Sequence, residues 1–363
     1  MSLLFIDSFD HYVTADVAEK WTTISSSGGG VVPTINATGG RRGSGSFRLS
    51  VQLGSGNTAQ ASVTKNIFGA TDATAVVGLA VAISNAATIG GTGIQLVSIR
   101  DTGTAQITLR LNSNLTLSVL RGAHNGTVLG TTTATLSGYG YLELKALIHA
   151  SAGTVDLRLN GVSVLSLSAQ NTRNTANTSW NAIAVGQIDF AGGTWSTSAA
   201  ATVDFDDLYL LDGAGAAPWN TFLGDVRVDA RYPTAEGANS AWTPLSGTDN
   251  ALMVDETAPD DNTTYNSTGT VGAVDTHVVQ DAPVAGATIY GVQHCLAMAK
   301  SDAGVCQIAP VIRHGSTDYV GAAIAPATTY AYGLQIAQVN PGTSAQWTEA
   351  NFNAAEFGYK RTA

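Results

Sequence analysis

Charge is scarce in this chain of 363 residues: Asp, Glu, Lys and Arg together make up 12%, against 44% hydrophobic residues. Low charge, with 40 glycines and abundant Ser, Thr, Asn and Val, argues against disorder and fits an all-β protein rich in turns. Segments mixing Glu, Lys, Leu and Ala, which a helical protein needs, are few. There is no basic stripe. Residues 1–217 hold 11 Lys and Arg against 13 Asp and Glu, and residues 218–363 hold 6 against 14. Nucleic acid is therefore excluded as an electrostatic partner, and Arg41-Arg42 reads as a lone pair of charges in a glycine-rich loop. No apolar run approaches the length that spans a bilayer, so no membrane partner is expected. The opening Met1-Ser2-Leu3-Leu4-Phe5-Ile6-Asp7 has no basic n-region and does not read as a secretory signal, which predicts folding in the cytoplasm. Catalytic signatures are missing as well. Nothing matches a Ser-His-Asp elbow, a P-loop or a dinucleotide loop, and residues 39–45 lack the strand-loop-helix setting that a phosphate loop needs.

What is present is a long series of short strands. Phe47-Arg48-Leu49-Ser50-Val51-Gln52-Leu53 alternates strictly, as a strand with one buried face does. Residues 94–99, 105–111 and 115–120 are strands at regular spacing, with Asp101-Thr102-Gly103 and Asn112-Ser113-Asn114 as turns. Residues 141–148 form the best strand of the set. Asn160-Gly161 joins residues 155–159 to 162–164, and that dipeptide supplies the two positive-φ residues of a type I′ hairpin turn. Residues 203–211 read as a closing strand, and the small residues 213–217 after it cannot pack a core. Residues 213–223 are therefore expected to be a joint, with one domain at 1–212 and a second, smaller β-sandwich at 224–363. In the second domain, strands are expected at 274–280, 288–299, 305–314 and 329–339. Thr348 and Glu349 open a short helical turn there.

About a dozen short strands without a credible helix imply an antiparallel jelly-roll sandwich. The opening Phe5-Ile6-Asp7-Ser8-Phe9-Asp10, the stretch at 40–49, the Asn160-Gly161 hairpin and the closing Asp206-Asp207-Leu208-Tyr209 resemble the concanavalin/laminin-G-like sandwich, in which first and last strands pair. The whole arrangement, ending in Trp347-Thr348 and Glu356-Phe357-Gly358-Tyr359-Lys360, is similar to virion structural proteins of tailed bacteriophages, of the minor tail or fibre type. That resemblance implies a non-enzymatic virion component of a tail fibre or tail tip, a homo-oligomer among other virion proteins, with host surface polysaccharide as its ligand class. A capsid or collar decoration, a free lectin-like glycan-binding module and a polysaccharide-degrading enzyme stand as alternatives.

Candidate sites follow from residue chemistry. Glycan binding needs aromatic rings beside Asn or Asp. Asn125, Tyr139, Trp180 and Trp195 lie in or beside loops that would gather at one rim; the competing reading makes Trp180 and Trp195 covers of the sandwich edge. Asp204 and Asp206 share a strand face, yet read as solvated rather than as the carboxylate pair of a glycosidase, and Glu143 stands alone on its strand. No catalytic residue and no metal site is assigned. Calcium is the one cofactor the resemblance admits, with Asp101, Asp189, Asp206 and Asp207, or Asp260-Asp261-Asn262, as oxygen donors. His294 and His314 lie on strands read as neighbours, without a ligand pattern. Trp219, Phe222 and Leu223 read as contacts to a neighbouring subunit or as packing between the two domains. Cys295 and Cys306 are expected nearly opposite one another on adjacent strands, as reduced thiols.

Overall fold

Alternation of apolar and polar residues builds the first unit, in which every strand pairing is antiparallel. A computed structural model describes residues 2–27, 31–42, 46–51 (backbone only), 60–67, 73–84, 89, 93–188 and 201–363. The unit opens with β1 (Leu3–Asp7), a short helix α1 (Val17–Lys20), β2 (Thr23–Ser27), β3 (Thr34–Asn36) and β4 (Ser46–Val51). Next come β5 (Gln60–Asn66), β6 (Thr74–Ser84), β7 (Ile94–Asp101), β8 (Thr104–Leu111) and β9 (Thr116–Arg121). It closes with β10 (Thr127–Thr135), β11 (Gly140–Leu147), β12 (Gly153–Leu159), β13 (Val162–Gln170), β14 (Ala182–Gln187) and β15 (Ala201–Leu211).

These strands form two sheets. The first runs β13-β12-β11-β6-β15-β4-β3, with β1 added to β15; the second runs β10-β9-β8-β7-β14-β5-β2. First and last strands pair, Phe5 opposite Leu210. The inward faces follow from the registers. Val77, Leu79, Leu142, Leu144 and Leu157 of the first sheet are buried, as are Val97, Ile99, Ile107, Leu109 and Val119 of the second. Burying each such side chain is worth about 1.5–3 kcal/mol, which makes this core the main source of the fold's stability. Asn160 and Gly161 adopt φ of 52° and 77°, as the hairpin expectation requires. At one edge, buried Lys20 pairs with buried Asp7 at 2.8 Å, and Asp7 also accepts from Tyr12 Oη and Trp21 Nε1.

The stretch expected to be a joint is not one. The chain divides between Val228 and Asp229, and residues 213–228 belong to the first unit. They double back over the outer face of the first sheet. Gly224 N–H donates to Glu143 Oε1, Leu223 N–H to Tyr209 Oη, Val228 N–H to Asp207 Oδ1, and Lys145 Nζ to Asn220 O. Phe222 lies under the guanidinium of Arg158 at 4.3 Å. The small residues of 213–217 were read as uncoupled because composition alone hides these polar ties.

The second unit, residues 229–363, contains β16 (Pro233–Ser240), β17 (Thr243–Pro244), β18 (Asn266–Ser267), β19 (Val274–Val279), β20 (Thr288–Ile289) and β21 (Val292–Met298). It continues with β22 (Ile308–His314), β23 (Thr317–Val320), β24 (Ala331–Ala337), β25 (Trp347–Thr348), α2 (Glu349–Asn353) and β26 (Ala355–Arg361). A five-stranded sheet β16-β19-β26-β22-β23 faces the β21-β24 pair. Leu296 and Met298 pack with Ile308 and Tyr359 between them. Thr348 caps α2, its hydroxyl accepting from Asn351 N–H at 3.2 Å, which agrees with the sequence expectation. The expectation that Cys295 and Cys306 face each other is not met. Cys295 lies opposite Leu334 of β24, whereas Cys306 leads into β22 of the other sheet, and no disulfide joins the two. His294 and His314 are separated by the same division of strands.

Candidate functional site

The second sheet of the first unit carries polar residues on its outer face where an ordinary β-surface would be exposed. Register brings four of them into one line across four strands: Gln95 of β7 opposite Arg110 of β8, Arg110 opposite Ser118 of β9, and Ser118 opposite Thr131 of β10. With strands spaced about 4.8 Å apart, the row spans roughly 14 Å. A second row runs beside it: Thr64, Ala184, Ser98 and Thr108. Ala184, Ser98 and Thr108 of this row are fully buried.

Arg110 is held by neutral oxygens alone. Its Nε donates to Asn112 Oδ1 at 3.2 Å and its Nη1 to His124 O at 3.0 Å. Asn112 in turn donates to Thr116 Oγ1 and Ser118 Oγ, and Ser118 Oγ meets Thr131 Oγ1 at 2.8 Å. Among the described residues no carboxylate contacts the guanidinium, and burial lowers its pKa. The turn at residues 122–126 lies against this face, because Thr108 Oγ1 donates to Gly122 O. It carries His124, whose pKa falls to about 4 through burial first and the nearby Arg110 charge second, so its imidazole is neutral at pH 7.

Gln95 is the other unusual member. It is 0% exposed, and neither atom of its side-chain amide has a hydrogen-bond partner. Its backbone N–H donates to Gln187 Oε1 at 2.7 Å, while Gln187 Nε2 and the hydroxyls of Ser62 and Ser98 are also buried without partners. Each such group costs about 1–3 kcal/mol, and native proteins keep few of them. Gln106, by contrast, is saturated: Oε1 accepts from Asn174 and Thr175 N–H, and Nε2 donates to Thr175 Oγ1 and Asn177 O. That residue pins the 174–179 stretch to the sheet. Gln95 has no such structural employment.

Three of the four residues expected at a glycan rim are described. Trp180 is buried, with its indole N–H donating to Thr74 O at 3.0 Å, so it covers the sandwich edge. Tyr139 is half-buried and donates to Gly39 O. Asn125 is exposed in the turn that also holds His124, adjacent to the Arg110 row. Trp195 lies outside the described residues. Trp219, Phe222 and Leu223 belong to the segment laid over the first sheet, where Phe222 packs under Arg158. Gln95, Arg110 and Ser118 were missed, since each is a single polar letter inside an apolar strand. Their only signal was polarity at positions of one parity on three successive strands.

Asp206 and Asp207 of the acidic run are buried rather than solvated, and Asp204 is half-buried. Asp206 and Asp207 are 1% and 2% exposed, and a bulge between Asp206 and Tyr209 puts Asp207 at φ 49°. Asp206 accepts from Arg41 N–H at 2.8 Å, and its pKa is pushed up to about 7 by burial first and Asp207 second. Arg41 grips Asp225 through both terminal nitrogens, at 2.5 and 2.6 Å, and reaches Asp207 at 3.5 Å. The lone pair of charges thus ties the returning segment down. Glu143 is buried and accepts from Tyr209 Oη at 2.6 Å. The oxygen donors named for calcium already have protein partners: Asp101 accepts from Thr175 and Asn177, and Asp260 from Thr264. Asp189 lies outside the described residues. Among the described residues, no group of three His, Cys, Asp or Glu side chains could hold a metal ion.

No family model and no curated protein matches the chain. Solved structures do. Alginate lyase vAL-1 from Chlorella virus is similar at 11% identity over 49% of this chain and 88% of its own, with a TM-score of 0.38. The alginate lyase from Corynebacterium sp. matches at 16% identity over 49% and 79%, with a TM-score of 0.32. Trypanosoma rangeli sialidase matches at 13% identity over 46% of this chain and 25% of its own, with a TM-score of 0.32. Similarity at this level is a likeness of sandwich fold and carries no residue roles across. These comparisons do not bear out the expectation of a non-enzymatic virion part: the similar structures named here are alginate lyases and sialidases.

Proposed function

We propose that this chain is a carbohydrate-active protein whose saccharide lies along the outer face of the second sheet and is acted on there. One observation carries the reading: the line Gln95, Arg110, Ser118 and Thr131, with buried amide and hydroxyl groups around it that no protein group satisfies. A saccharide presents closely spaced hydroxyls that donate and accept, and amides and hydroxyls answer both roles. Hydrolysis by two carboxylates is not the chemistry this row offers, since it contains no Asp or Glu. His124, beside Arg110, is held neutral by burial and offers an uncharged imidazole next to the row. The test is turnover on a panel of neutral and acidic polysaccharides, read as new reducing or unsaturated chain ends. Wild-type protein is expected to generate ends on at least one polymer, with Ser118→Ala and Arg110→Ala slower on that polymer. Absence of both binding and turnover across the panel would refute the reading.

A further inference from the structure

We infer that Asp7 and Lys20 condense into an amide, with His11 carrying the proton, so that a covalent bond ties the end of β1 to the end of α1. The pair differs in burial from the other ion pairs named above. Both of its side chains are 0% exposed, whereas Arg41 and Asp225 keep 15% and 40%, and Arg313 and Asp318 keep 18% and 27%. Lysine is almost never fully buried, and two charges sealed from water give up hydration that their attraction returns only in excellent geometry. Phe5, Phe9, Tyr12 and Trp21, all buried, close the site, and the ring centres of Phe5 and Tyr12 stand 5.4 and 5.3 Å from Lys20 Nζ.

Each atom that the condensation uses already has its partner. Nζ lies 2.8 Å from Asp7 Oδ1 and 2.8 Å from His11 Nε2. An ammonium only donates, so Nε2 accepts. Burial first and the Lys20 charge second bring the His11 pKa to about 3, which leaves that nitrogen unprotonated. The other carboxylate oxygen, Oδ2, accepts from Tyr12 Oη at 2.9 Å and from Trp21 Nε1 at 3.1 Å. Those two donors stand where negative charge collects when the carboxyl carbon is attacked. Burial raises the Asp7 pKa, but Lys20, His11 and the Phe9 N–H together bring it below its ordinary value, so the pair rests as ammonium and carboxylate. One Nζ proton then passes to Oδ1 along their contact, giving amine and acid with no change in net charge. The amine lone pair forms a bond to Cγ, and the C=O pair moves onto Oδ2. His11 Nε2 takes a proton from the new ammonium centre and returns it to the Oδ1 hydroxyl, which leaves as water while the C=O re-forms. Groups held in place in this way act at effective concentrations on the order of 10⁵ M or more, above that of water itself, which carries the condensation forward.

Trypsin reads the outcome, because residues 1–41 offer it only Lys20 and Arg41. The full chain, folded and warmed for several days before denaturation, is expected to yield residues 1–41 as one peptide lighter by one water, with fragmentation placing a branch between Asp7 and Lys20. His11→Phe, shown to be folded by circular dichroism, should form the amide roughly a hundred-fold more slowly. Folded wild type that gives residues 1–20 and 21–41 at full mass overturns the inference. So does a lost water with Lys20 still cleaved, which marks a succinimide at an aspartate instead. An unchanged rate in folded His11→Phe overturns His11 as the proton carrier.

Discussion

His294 should make the second unit acid-sensitive. It sits on β21 with its ring edge-on to Phe357 at 5.8 Å, and its Nδ1 is buried without a partner. Burial first, and the neighbouring His277 second, bring its pKa from 6.5 to about 4. The folded state therefore binds fewer protons than the unfolded chain between those values. Stability rises with pH across the window and is lost as pH falls from 6.5 toward 4. A depression of that size corresponds to about 3 kcal/mol, a large part of the 5–15 kcal/mol typical of a domain. His277, Asp275 and Tyr359 lie on the facing sheet, and His277 is shifted down by burial as well, so it adds in the same direction. His294→Leu keeps the apolar contact and removes the titration. Urea unfolding of both proteins at pH 7 and at pH 4.5 isolates the effect, because other titrating groups are common to the pair. The wild type should lose about 2–3 kcal/mol more than the variant on acidification. Equal losses would show that His294 titrates normally and that its burial has been misjudged.

Two further changes bear on the first unit. Lys20→Met leaves buried Asp7 without its cation and should cost about 3–5 kcal/mol in urea unfolding, with part of the loss recovered in the double variant carrying Asp7→Asn; an effect below 1 kcal/mol would mean the pair is hydrated. Gly78→Ala drives a methyl into the ring of Tyr209, so the ring that reaches Glu143 must move. A loss of about 1–3 kcal/mol is expected from overpacking, together with faster proteolysis of residues 213–228; unchanged cleavage there would detach the segment from Tyr209.

Much of the fold is legible in the residues because local chemistry decides it. Asn160-Gly161 must turn where two positive φ values are wanted, and Thr348 must cap where the next residues are helical and its hydroxyl can reach Asn351 N–H. Alternation in residues 142–147 names its inward face without help from elsewhere. The parts that escape are non-local. Asp206 and Asp207 look like a wet strand face until Arg41 N–H reaches the first and Val228 N–H the second, and Arg41 looks unpaired until Asp225, 184 residues away, arrives. Cys295 and Cys306 are close in number, yet their strands join different sheets. The Arg110 row is the extreme case. Gln95, Arg110, Ser118 and Thr131 come from four strands, and one residue of slip in any register would scatter them.

A crystal structure of the full chain with an oligosaccharide that it binds shows directly where the sugar sits. The oligomer is expected to cross β7 to β10 on the outer face of the second sheet, along the row Gln95, Arg110, Ser118 and Thr131. An oligomer seated on the outer face of the first sheet or in the second unit, with Arg110 bare, would contradict it.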